Sequence, residues 1–185
     1  MWLSDRVFES SADLDQLQTL LDSSLAGSTN HLKSIVRPGE RTLTAKQVVE
    51  VCQGMCTLAI ATVTRRGEPR ISGVDGHFLN GRWIIGTHPQ AAKARHLATR
   101  PAISATYMRG EQLGIFTHGH ATPLNPRDRP DDPTWPNVRS YLVEHYGDDG
   151  TWDWDEIIYY RIDPTWMVAY SDDPTALFDI ASPPA

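Results

Sequence analysis

Residues 56–97 read CTLAIATVTRRGEPRISGVDGHFLNGRWIIGTHPQAAKARHL, and the fold turns on them. Three short apolar runs, Cys56–Val63, Arg70–Val74 and Arg82–Thr87, are separated by tight polar turns. Arg66-Gly67-Glu68-Pro69 makes the first turn and Asn80-Gly81 the second. Asn-Gly between β-type runs is a strong hairpin signal, because a type I′ turn needs φ > 0 at both central residues. The period then changes. Pro89 stands where a first helical residue would, and good helix formers follow from Gln90 to Leu97. Arg100-Pro101 should stop the helix, since the residue before a proline is pushed out of the helical region. Antiparallel strands over 56–63, 70–75 and 82–87 are therefore expected to feed a helix over 89–98. Its first turn carries two alanines and then Lys93. Free N–H groups, small side chains and a cation at a helix start suit a phosphate.

The ordered pattern resembles the flavin-binding split-barrel family related to pyridoxamine 5′-phosphate oxidase. The matching residues are Ala61-Thr62-Val63, Gly67, Pro69-Arg70, Ser72 and Val74 on the first two strands. Gly86-Thr87 matches on the third, and Lys93-Ala94 at the helix start. The match spans about residues 45–122, with weaker likeness in the C-terminal strands. Ala91 and Ala92 stand where many members have Ser and Arg, so one phosphate ligand of the family is missing. The resemblance implies FMN as cofactor, held in a cleft between the two barrels of a homodimer. Some branches of the family bind the deazaflavin F420 or haem instead.

Composition sets outer bounds. A chain of 185 residues with 40% hydrophobic and 22% charged residues can build one globular domain with a proper core. The net charge of −6 argues against non-specific nucleic-acid binding. The N-terminus mixes charges into every short apolar run, and no signal peptide or membrane span fits. Cytoplasmic residence is expected. Cys52 and Cys56 are the two cysteines; a structural zinc site needs four ligands, so two reduced, half-buried thiols are the simpler reading.

Outside the central stretch, the leucines at 14, 17, 20, 21 and 25 predict an amphipathic helix over 11–26, opened by Ser10 or Ser11 and closed by Gly27. Residues 28–43 are polar, contain Arg37-Pro38-Gly39 and read as a loop. Thr44 and Gln47 form a capping box for a helix burying Val48, Val51, Cys52 and Met55 on one face, with Gly54 near its end. Strands are expected over 102–108 and 112–122. Pro123–Pro136 holds five prolines and reads as a surface loop. Asn137 is expected to cap a helix over Val138–Tyr146, ended by Gly147. Thr151–Ile162 reads as an edge strand on which Trp152 and Trp154 flank acidic residues. Asp163-Pro164 reads as a turn, Trp166–Tyr170 as a last strand and 171–185 as a frayed tail. The fold class is mainly β with helices (α+β): an antiparallel split β-barrel of Greek-key type in one domain over 1–185. An N-terminal helical segment (1–55), a barrel core (56–122) and C-terminal helix and strands (137–171) make it up.

No nucleophile motif of the Gly-x-Ser-x-Gly kind, Walker loop or Gly-x-Gly-x-x-Gly turn is present. A flavin or deazaflavin carries its own hydride chemistry, so no catalytic dyad is demanded. The cofactor-binding candidates are Arg70, Ile71, Ser72, Gly73, Val74, Asp75, Gly86, Thr87, Lys93 and Trp166. Lys93 can set its ammonium on the cofactor phosphate; most lysines are simply exposed helix residues. The resemblance puts Arg70 near the phosphate and ribityl chain, although a surface arginine would look the same. Ser72 shares a strand face with Arg70 and Val74. Thr87 can cap the following helix, and Gly86 can admit the cofactor or relieve crowding. The resemblance places a C-terminal tryptophan or arginine from the partner subunit against the flavin, and Trp166 is the candidate; core packing would explain it equally. Arg100 lies on about the same helix face as Lys93. Of the histidines, His118 and His120 share one strand face. The resemblance places His77 where residues flank the cofactor ring, to contact substrate or to ligate iron as in the haem-binding branch; Asp75 and His77 as the solvent side of a turn is the alternative. No His-Glu-x-x-His spacing exists, and no metal is expected. The expected function is FMN-dependent hydride transfer to or from a small organic substrate. The alternatives are an F420-dependent reductase of the same fold, a cofactor- or haem-binding protein without turnover, and remotely a His-based metal hydrolase.

Overall fold

A computed structural model describes residues 8–147 and 154–179. The chain begins with α1 (Ser11–Ala26), capped by Ser10, whose side chain accepts from the Asp13 N–H while Asp13 accepts from the Ser10 N–H. Leu17, Leu21 and Leu25 recur on its buried stripe, and Gly27 ends it. The expected loop over 28–43 holds a short helix instead. Thr29 caps α2 (Asn30–Val36), and the chain then kinks at Arg37 (φ 46°) and Gly39 (φ 81°). The Thr44/Gln47 capping box is present and opens α3 (Ala45–Val51), which buries Val48, Val49 and Val51.

Six strands follow: β1 (Met55–Val63), β2 (Pro69–Leu79), β3 (Arg82–Thr87), β4 (Ala102–Arg109), β5 (Leu113–Pro123) and β6 (Ile158–Ser171). All pairings are antiparallel and close a barrel in the order β1-β2-β3-β6-β5-β4. The protein is thus an antiparallel barrel with flanking helices, as the sequence pattern implies. Asn80 (φ 52°) and Gly81 (φ 72°) make the β2–β3 turn, as Asn-Gly requires. On β1, Cys56, Leu58, Ile60 and Thr62 are buried while Met55, Thr57 and Ala59 are exposed, the period-two signature of a strand with one face on a core. Leu58, Ile60, Trp83, Ile85, Leu113, Ile115, Ile162 and Met167 fill the interior.

Several boundaries depart from expectation. The helix after β3 is α4 (Ala92–Leu97), shorter than 89–98; Pro89 lies in a turn before it, closed by the Ala91 N–H to the His88 carbonyl at 2.9 Å. Its N-cap is Ala91, not Thr87. The C-terminal helix α5 (Trp135–Tyr146) starts ahead of Asn137, with Thr134 at its N-cap and Pro136 in its first turn. There a proline loses no hydrogen bond. Asp163-Pro164 is no turn: β6 runs unbroken through it, with Thr165 bulged out of register opposite the His118–Gly119 step of β5. Trp154 sits in a 3₁₀ turn (Trp154–Glu156), buried rather than on an edge strand. Part of the expected tail is the short helix α6 (Ala176–Asp179). Trp152, the rest of 148–153 and residues 180–185 lie outside the described residues. Among the described residues, no helix is long and apolar enough to cross a membrane.

Candidate functional site

The barrel opens between β2 and β3. β3 pairs with β2 only over Gly76–Leu79, and its far end turns to β6, where Gly86 faces Tyr159 and Thr87 faces Ile158. Residues 70–75 of β2 therefore have β1 on one side and no strand on the other. α4 lies beside this free edge. The Lys93 ammonium donates to the Gly73 carbonyl at 3.1 Å, bridging helix and strand. A Cβ on Gly73 would meet nothing within 4 Å, so the backbone there is open to approach.

The β1 register sorts the β2 candidates onto two faces. Arg70, Ser72 and Val74 sit opposite Thr62, Ile60 and Leu58 on the barrel side. Ile71, Gly73 and Asp75 sit opposite Ala61, Ala59 and Thr57 on the outer side. Arg70 pairs with Glu68 at 2.8 Å; the two side chains are 58% and 46% exposed, so the pair is worth at most about 1 kcal/mol and is readily exchanged for another anion. At the barrel mouth the buried Thr62 hydroxyl meets His96 Nδ1 of α4 at 2.9 Å. Thr87 is buried beside the mouth.

Gly86 has a packing explanation. A Cβ there would lie 2.8 Å from the Tyr159 ring and 3.1 Å from Ile157. The space is taken by this chain's own side chains, so Gly86 fits close packing rather than close approach of a cofactor. Trp166 lies on β6, in register with His118 of β5, and its ring contact is with that histidine rather than with the Lys93 helix. Trp166 stacks on His118, with centroids 4.8 Å apart. His118 Nδ1 in turn meets the Ser104 hydroxyl at 2.8 Å.

Sequence reasoning missed how His77 is held. It is buried on the outer face of β2 beneath α5, with Nδ1 3.0 Å from the Tyr141 hydroxyl and Nε2 2.8 Å from the Tyr146 hydroxyl. A neutral imidazole satisfies both, donating through one nitrogen and accepting at the other. Burial first, then the neighbouring His145, lowers His77 from 6.5 to about 4. Burial pushes Tyr141 and Tyr146 up to about 12. With both nitrogens engaged, His77 has none left for iron or substrate. A notch of about 120 Å³ lies beside it, lined in part by Asp75, Gly86, Tyr146 and Tyr159. Two clefts of about 700 Å³ lie elsewhere. One is beyond the C-terminal end of α4, near His120 and Arg127, and the other is between the Asn80 turn and α5. Among the described residues, no three His, Cys, Asp or Glu side chains converge as a metal site would need.

The geometry defines a class of protein: an antiparallel split barrel whose opening is spanned by a helix lysine. Solved structures of like fold include HutZ, the heme storage protein from Vibrio cholerae. It is 19% identical, with 68% of this chain and 93% of that chain covered, at a TM-score of 0.56. A candidate pyridoxamine 5′-phosphate oxidase from Listeria innocua is 8% identical, covering 66% of this chain and 95% of that chain, at a TM-score of 0.52. The protein Atu2129 from Agrobacterium tumefaciens, of unknown function, is 16% identical with a TM-score of 0.55; 67% of this chain aligns with 54% of that one. The alignment thus spans about half the length of that last protein. At these identities the likeness shows the fold alone. No protein-family model and no curated protein matches the chain.

Proposed function

We propose that this chain binds FMN at the opening between β2 and β3, as a homodimer, and serves hydride transfer between the flavin and a small organic substrate. The observation that carries this reading is the Lys93 ammonium held at the free edge of β2, beside the open backbone of Gly73. α4 is too short to hold an anion by its dipole, so the charge must come from side chains. Lys93 and Arg70 would supply it to the phosphate, Arg70 by leaving Glu68. Ser72 and the β2 backbone over 71–75 would line the ribityl chain. A bound flavin supplies the hydride chemistry itself. The chain's part is to neutralise the phosphate, orient the ring and exclude water. One protomer offers an open surface there, so exclusion needs a second copy. The outer faces of β1, β2 and β4 suit that partner: Ile71 is 79% exposed and Met55 and Met108 about half exposed, around the small residues Ala59, Ala61 and Gly73. Such packing would bring the partner's Trp166 flank into play.

Lys93→Ala tests the phosphate assignment. A hydrogen bond to a charged group contributes ~1.5–3 kcal/mol, so FMN affinity should fall roughly ten- to a hundred-fold. Riboflavin, which has no phosphate, should bind the variant and the parent alike. Equal losses for both ligands, or undiminished FMN binding, would sink the assignment. The deazaflavin F420 could use the same cations, and the visible absorption of protein purified from its native host separates FMN, F420 and haem.

A further inference from the structure

Cys52 and Cys56 lie outside the proposed cofactor site and belong to no part of that function. Cys52 ends α3 and Cys56 opens the buried face of β1. The turn between them depends on Gly54, at φ 72°. Both are free thiols, 1% and 3% exposed. Both belong to one buried cluster, near enough for each thiol to shift the other's pKa, with Tyr107 packed against the same cluster beside Cys56. Arg109 completes the group. Its Nε donates to the Tyr107 oxygen at 2.6 Å, its guanidinium lies 5.4 Å from the Tyr107 ring centroid, and it donates to the Val51 carbonyl at the end of α3.

A pair of buried thiols packed only among apolar groups would be inert, because burial opposes the thiolate. This pair is asymmetric. The neighbouring Cys52, helped by Tyr107 and Arg109, holds Cys56 below the ordinary thiol range, whereas burial holds Cys52 well above it. Tyr107 and Arg109, bonded to each other, stand on the Cys56 side of the pair, which fits Cys56 to attack and Cys52 to resolve. Only residues 53–55 separate them in the chain. Burial also selects the chemistry: thiols of other proteins cannot reach sulfurs that are 1% and 3% exposed, so a small hydroperoxide is the oxidant that suits the pair.

We propose that Cys52 and Cys56 form an oxidisable dithiol pair that a hydroperoxide converts to an intramolecular disulfide, with Cys56 the attacking sulfur and Cys52 the resolving one. The Cys56 thiolate attacks one peroxide oxygen, the O–O bond breaks, and hydroxide leaves, giving a sulfenic acid. The Cys52 sulfur then attacks the Cys56 sulfur. The S–O bond breaks, the Cys52 proton and the departing hydroxyl form water, and the disulfide remains. In sum two thiols are oxidised, and one hydrogen peroxide is reduced to two waters.

The test is hydrogen peroxide on the native full-length protein, followed by alkylation in denaturant and peptide mass analysis. Trypsin places both cysteines in one peptide, Gln47–Arg65. The expected result is that this peptide loses two hydrogens and both alkylation sites, with oxidation of Met55 counted separately. Two alkylated cysteines after treatment, over-oxidised sulfur without the disulfide, or disulfide-linked dimers would each overturn the proposal. Cys52→Ser should stop at a sulfenic acid on Cys56 that dimedone traps. Cys56→Ser should leave Cys52 fully alkylatable. The reverse pattern would overturn the assigned order. The unsubstituted protein alone decides whether the disulfide forms, whatever the variants do to folding.

Discussion

His77 illustrates how one side chain can tie pH to folding. In the unfolded chain its pKa is near 6.5, and in the fold it is about 4. Between those values the unfolded chain binds one more proton, so stability rises with pH across the window. The contribution of neutral His77 is complete above 6.5 and is lost as pH falls toward 4, about 3 kcal/mol in all. His77→Phe cannot take up that proton. Urea midpoints at pH 7 and pH 4.5 should differ less in His77→Phe than in the parent; an equal acid shift in both would place the loss on other groups. Neighbouring Gly76 shows how little room the barrel leaves, since a Cβ there would lie 2.4 Å from Leu58 Cδ1.

At the scale of elements, α5 is held onto the sheet by its own apolar cluster: Leu142, Val138 and Trp135 against Leu79, Ile84 and Tyr159. Leu142 is 1% exposed. Leu142→Ala should cost ~2–5 kcal/mol and loosen the cover over His77. The expected result is a lowered urea midpoint with the His77 titration, followed by NMR, moving up toward 6.5. A large stability loss with His77 still near 4 would mean that the tyrosines alone hold it. Asp132, just before α5, adds a second attachment through Arg161 of β6, whose Nη1 lies 3.2 Å from it while Asp163 of the same strand holds the Arg161 Nε at 2.7 Å.

The same scale shows what the sequence could reveal. The three-strand unit and α3 were legible because their signals are local: Asn80-Gly81, the alternation from Cys56 to Val63, and the Thr44/Gln47 box. α2 was hidden because its seven residues bury only Val36, too little for a periodic signal. Proline misled twice. Pro136 marks a first helical turn rather than a loop, and Pro164 is tolerated inside β6 because it sits beside a bulge at Thr165 of the same strand. Gly119 was the available clue: a Cβ there would lie 2.2 Å from the Asp163 carbonyl oxygen, so only glycine lets the strands meet. At the candidate site, Lys93 could be nominated from its place in the helix. Its bond to Gly73 could not, because the split between β2 and β3 depends on where β6 pairs. The two tyrosines on His77 were out of reach for the same reason: they lie 64 and 69 residues away in sequence.

For the whole molecule, the exposed outer face of β1, β2 and β4 carries a prediction about assembly. Ile71 touches little within one protomer, so Ile71→Lys should leave the protomer's stability within about 0.5 kcal/mol of the parent. In a homodimer that uses this face, the buried charge would be costly. Light scattering should find the parent dimeric and Ile71→Lys monomeric, with reduced FMN retention in the variant. A monomeric parent that keeps full FMN would remove the shared site.

The closing strand also governs when the molecule can exist at all. β6 is the one strand that joins β3 to β5, with Ile85 opposite Tyr160 and Ile115 opposite Ala169. On the ribosome, β1, β2 and β3 emerge together and can zip by short hairpins, whereas Ile85 of β3 must wait until its partner Tyr160, 75 residues later, has been synthesised. Loop closure over such a span is slow, and open strand edges recruit other chains. A nascent chain cut short before residue 158 would carry two bare edges, on β3 and β5, and nothing to seal them. The cell would meet such fragments as seeds of aggregation, and folding of the complete chain as a race between the arrival of its last strand and encounters with its neighbours.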